Sequence, residues 1–103
     1  MKKIKDPALF EKIREFLTEH LPIIKKDSPN TVAAYRYTLN LYLDFLQEVS
    51  AKELSDITSL DFTTKNIVAF MDWLISNRKN KAPTANLRLV HMRKFCRFLM
   101  GED

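Results

Sequence analysis

At 103 residues, with 46% apolar and 29% charged side chains, the chain fills one core, is too short for two, and is too apolar for a disordered segment. One glycine, four prolines and one cysteine argue against the tight turns of an all-β fold and exclude both an internal disulfide and a zinc cluster. The net charge of +4 is modest but uneven: Trp73 to Gly101 holds seven basic residues and no acid, against ten basic and thirteen acidic residues elsewhere. A local field of that kind suits a polyanion, because each neutralised phosphate releases condensed counterions.

A first helix is expected from about Pro7 to Leu21, with Asp6 as its cap, Phe10, Ile13, Phe16, Leu17 and Leu21 at helical spacing, and Pro22 closing it. The stretch from Pro22 to Asn30 reads as a loop. The second helix begins near Ser28 to Thr31, where Ser28, Asn30 or Thr31 can cap, and runs to about Val49. Val32, Tyr35, Leu39, Tyr42, Leu43 and Leu46 mark its apolar face. Leu54, Ile57, Leu60 and Phe62 suggest a short helical turn and a packed loop. A third helix follows from about Thr64 to Asn77, and a fourth from about Pro83 to Met100, stopped by Gly101. On a helical wheel, Ala85, Leu89, Met92, Phe95, Cys96 and Leu99 share the core sector, opposite Asn86, Arg93 and Arg97 with Lys94 at their flank. Arg88 lies near the core edge, with a side chain long enough to reach outward. These elements predict an all-α domain spanning residues 1–103, with the second and fourth helices longest.

The basic start, Met1 to Lys5, has no apolar segment behind it, and no run approaches the length of a membrane span. Together with the lone cysteine this predicts a cytoplasmic protein.

Two stretches carry a family resemblance. Ser28, Pro29, Asn30, Thr31, Val32, Ala33, Ala34, Tyr35 and Arg36, followed by Leu39 and then Phe45 and Leu46, resemble the opening of the core-binding domain of tyrosine recombinases, or phage integrases. Thr84, Ala85, Asn86, Leu87, Arg88 and Leu89, continuing through Met92, Arg93, Lys94 and Phe95 to Phe98 and Leu99, resemble that domain's last helix. The resemblance covers nearly the entire chain. It implies an orthogonal, SAM-like bundle of four or five helices that grips one side of a DNA duplex, while a separate C-terminal domain grips the other and supplies the tyrosine nucleophile. That catalytic domain would continue beyond Asp103, so the chain reads as an excised domain or a natural fragment. The implied partners are double-stranded DNA, the catalytic domain of the same recombinase and other protomers on the DNA.

The candidate DNA-binding residues fall into two sets. Lys25, Lys26, Asn30, Thr31 and Arg36 cluster around the start of the second helix, where free amides and the positive dipole end suit a phosphate. Lys79, Lys81, Thr84, Asn86 and Arg88, with Arg93 and Lys94 further on, form a comparable set on the fourth helix. The resembled fold puts both helix starts on one side of the bundle.

No catalytic, metal or cofactor site is expected. His91 to Lys94 resembles the His-x-x-Arg element of recombinases, but its fourth position is Lys and it belongs to the DNA-binding helix. His20 reads as a helix-end residue. Tyr35 and Tyr42 read as core residues with hydroxyls near the surface, and no tyrosine has the surrounding arginines and histidine that a phosphoryl-transfer nucleophile needs. Cys96 reads as a small apolar filler. The rival reading is a helical protein-interaction module whose basic face meets an acidic partner.

Overall fold

The computed structural model describes residues 3–102. Four α-helices form the bundle: α1 (Pro7–Glu15), α2 (Pro29–Val49), α3 (Thr64–Ser76) and α4 (Ala82–Leu99). Among the described residues there is no strand, and the fold is all-α as the composition predicts. The longest α-helices are α2 with 21 residues and α4 with 18.

α1 starts as expected. The Asp6 carboxylate accepts the Leu9 amide at 3.2 Å, Pro7 takes the first turn, and the other Asp6 oxygen accepts the Ser59 amide at 2.9 Å. Its end differs from the sequence expectation. α1 continues without a break into a π-helical segment, Phe16–Ile24, that contains Pro22. Within an α-helix the proline ring would collide with the carbonyl four residues back and would withdraw a donor. A wider turn relieves that crowding. The ladder closes with the Lys25 amide on the His20 carbonyl, five residues back, at 2.9 Å. The extension buries Phe16, Leu17, His20 and Leu21 on one side.

α2 is capped by Ser28, whose hydroxyl oxygen accepts the Thr31 amide at 3.2 Å. The short turns Leu54–Asp56 and Ser59–Asp61 follow, the second closed by a reciprocal capping box between Thr58 and Asp61. Thr63 caps α3, accepting the Asn66 amide at 3.1 Å.

Three helical segments end on a left-handed residue other than glycine: Lys26 (φ 56°), Ala51 (φ 53°) and Lys79 (φ 57°). In each case the next amide reaches back to a carbonyl, Asp27 to Leu21, Lys52 to Leu46 and Asn80 to Leu74. This backbone costs non-glycine residues about 1 kcal/mol each. α4 alone uses glycine: Gly101 (φ 76°) follows the last turn, its amide bonding to the Phe98 carbonyl and that of Glu102 to Arg97. That is the predicted glycine stop in its two-bond form.

The core is strongly aromatic. Phe16 meets Phe95 edge-on at 5.2 Å, Tyr42 meets Phe70 at 5.1 Å, and Phe45 lies 5.6 Å from Trp73. Such pairs contribute beyond simple area burial. Tyr42 is fully enclosed, and its hydroxyl donates to the Asp61 carbonyl at 2.6 Å. Its hydroxyl is therefore not at the surface as the sequence suggested, and burial raises its pKa.

Candidate nucleic-acid interface

α2 crosses α4 through a polar seam. Thr38 is completely buried on α2, and its hydroxyl donates to the Ala34 carbonyl at 3.1 Å. The same oxygen accepts from an Arg88 terminal nitrogen at 3.0 Å and lies 2.7 Å from Nδ1 of His91. A hydroxyl has one proton to give and two lone pairs to receive with. With that proton on Ala34, hydrogen-bond counting assigns the proton of the His91 ring to Nδ1, which donates to Thr38. The ring also packs on Tyr35 at 4.1 Å. Burial, then the neighbouring Arg88 and Lys94 charges, push the His91 pKa down to about 4. His91 is thus a neutral seam residue.

Arg88 differs most from its expected position. Its side chain lies back across α2, bonded to Thr38 and, at 3.4 Å, to the Ala34 carbonyl, with the guanidinium carbon 4.9 Å from the centre of the Tyr37 ring. It is half-buried, and its buried Nε meets no acceptor among the described residues. The reach into solvent expected for this side chain is replaced by a bond into the seam, because Thr38 and Ala34 offer acceptors within its length.

The other candidates, Lys25, Lys26, Asn30, Thr31, Arg36, Lys79, Lys81, Thr84, Asn86, Arg93 and Lys94, are all exposed. Asn86, Val90, Arg93, Lys94 and Arg97 line the outer face of α4, at the spacing that puts them on one side of a helix. Lys94 and Arg97 also border a notch of about 330 Å³ with Lys25, Asp27 and Tyr35. The approach to α2 therefore lies beside the second half of α4. α2 meets the middle of α4 at Arg88 and His91.

The two helix starts differ in the backbone amides they leave uncapped. At α2, Pro29 has no N–H, the Thr31 amide goes to Ser28 Oγ and the Val32 amide to the Ser28 carbonyl. Asn30 alone retains an amide outside this capping. At α4 the N-cap residue is Lys81, which makes no side-chain cap. The amides of Ala82 and Thr84 there belong to the positive end of the helix dipole, with a lysine beside them.

Tyr37, weighed in the sequence only as a nucleophile and set aside, is exposed on α2 against Arg88, and Arg97, outside the candidate set, is exposed on the outer face where the wheel placed it. Arg78, in contrast, is engaged, lying 4.8 Å from the Trp73 ring centre and 3.6 Å from Glu48. Cys96 packs against the core, and burial raises its thiol pKa. Among the described residues, no cluster of His, Cys, Asp and Glu is arranged to hold a metal, and no helix is long and apolar enough to cross a membrane.

Residues 13–103 match the family described as phage integrase, N-terminal SAM-like domain. The chain belongs to that family. A tyrosine recombinase XerC from Caldanaerobacter subterraneus subsp. tengcongensis is 28% identical over 112 residues, covering 96% of this chain and 31% of the relative. This SAM-like domain thus spans about a third of the length of that relative. No solved structure gives a significant match. The assignment accounts for the all-α bundle and gives the domain a recombinase-associated role.

Proposed function

We propose that this SAM-like domain binds double-stranded DNA as the core-binding part of a site-specific tyrosine recombinase. In that role it holds the recombination site for a separate catalytic domain and performs no chemistry of its own. Its partners are then the duplex, the catalytic domain of the same recombinase and neighbouring protomers on DNA, in the cytoplasm.

The observation that carries this reading is the acid-free outer face of α4, where Asn86, Arg93, Lys94 and Arg97 are exposed along about three turns. Cations repeated along one helix face suit the repeated phosphates of a duplex backbone, while an asparagine among them can pair with an adenine edge.

The test is a salt titration of a generic duplex with the purified 103-residue chain, followed by fluorescence anisotropy. The log-log slope should be steep, at about 0.9 per phosphate contact. Salt-independent binding, or none, would remove the reading. Incubation with a recombination-site duplex should leave no covalent protein–DNA product.

A further inference from the structure

We propose that Tyr37 contacts the backbone phosphates of the duplex, and that Arg88 serves as its positioning residue instead of reading DNA itself. This rests on the DNA-binding reading above and adds a neutral contact to it.

The three tyrosines divide sharply. Tyr35 and Tyr42 are 4% and 0% exposed, whereas Tyr37 is 56% exposed. The Tyr37 hydroxyl makes no hydrogen bond among the described residues, so its donor is available to a ligand. Its neighbour in sequence, Arg36, is exposed as well. A free surface tyrosine samples several rotamers and loses that freedom on binding. Tyr37 is restrained beforehand, because the Arg88 guanidinium lies against its ring at 4.9 Å.

Arg88 is in turn held by the seam. Its terminal nitrogen donates to Thr38 and Ala34, and Thr38 is locked to His91 at 2.7 Å. The chain of contacts runs from a buried histidine on α4, through a buried hydroxyl on α2, to an arginine and an exposed aromatic ring. It fixes one face of Tyr37 and leaves the other face and the hydroxyl to solvent. A phenol can donate to a phosphate oxygen without neutralising charge, so the contact adds affinity and releases no counterion.

Four variants test the assignment by duplex binding across a salt series: Tyr37→Phe, Arg88→Met, their double variant and Arg88→Lys. Tyr37→Phe should weaken binding roughly three- to tenfold with the log-log salt slope unchanged. Arg88→Met should weaken it to a similar degree, also without a slope change. The double variant should bind like either single variant, because both remove the same contact. Arg88→Lys keeps the charge and loses the planar fork, and should behave like Arg88→Met.

Wild-type affinity in Tyr37→Phe would overturn the contact. Additive losses, a slope shallower by about 0.9 in Arg88→Met, or rescue by Arg88→Lys would show that Arg88 holds a phosphate directly, and would overturn its positioning role. Failure of the wild-type chain to bind duplex in a salt-dependent way would sink the underlying DNA-binding reading, an outcome distinct from a wild type that binds and a Tyr37→Phe that matches it. Tyr37→Phe alters one exposed oxygen, so this arm does not depend on how the seam tolerates the Arg88 variants.

Discussion

α2 and α4 begin with similar sequence, a polar residue and then proline within the first two positions, yet the structure uses the two starts differently. Ser28 closes α2 by taking the Thr31 amide, and the exposed side of that helix turns acidic toward its end at Asp44 and Glu48. α4 opens on Lys81 without a side-chain cap and keeps a basic outer face along its length. One start is closed for stability; the other leaves donors to solvent. A proline near a helix start therefore marks where a helix begins without revealing whether its amides are available to a ligand.

The largest expected effect sharpens this contrast. Reversing Lys94 and Arg97 together to Glu should weaken duplex binding about a hundredfold near 0.1 M salt and make the salt slope shallower by about two. A single reversal of Lys65, an exposed cation on α3 outside the outer face of α4, should leave binding within about twofold of wild type. Equal losses from both changes would mean that binding is diffuse over the surface. Lys52 is unsuitable as a control, since it pairs at 2.8 Å with the nearly buried Asp61.

The seam between the two helices should be sensitive to acid. His91 is buried and neutral, with a folded pKa of about 4, while the unfolded chain takes up that proton near pH 6.5. Between those values the unfolded state binds more protons, so stability falls as pH drops from about 6.5 to 4 and is unaffected by this group above that range. The loss at pH 4 should reach about 2 to 3 kcal/mol. Urea melts of wild type and His91→Gln at several pH values check it, and an equally steep fall in the variant would exclude His91 as the cause.

Smaller effects separate the two helix starts. Lys81→Ser should supply the missing cap, raising stability by about 0.5 to 1 kcal/mol while removing one cation, so melting temperature rises as duplex affinity falls. Ser28→Ala should do the reverse to α2, costing about 1 kcal/mol of stability with little change in affinity. A large loss of affinity in Ser28→Ala would show that the α2 start also engages DNA.

Sequence by itself determined the helical class, the four helices in order, the Asp6 cap and the Gly101 stop. Each depends on local backbone chemistry or on a period of 3.6 residues, and both are visible within a few positions. It also determined where the positive charge lies, because an acid-free segment is a property of composition.

Tertiary structure alone decided the rest. Pro22 reads locally as a terminator, but burial of His20 and Leu21 keeps the chain winding past it as a π-helix. Arg88 reads as a surface cation until α2 brings Thr38 and Ala34, fifty or more positions away in sequence, within bonding distance. The same crossing sets the neutral His91 and the exposed Tyr37 into one connected seam, and it puts Lys25 beside Lys94 and Arg97. These pairings depend on which helices meet and at what point, and neither periodicity nor charge records that.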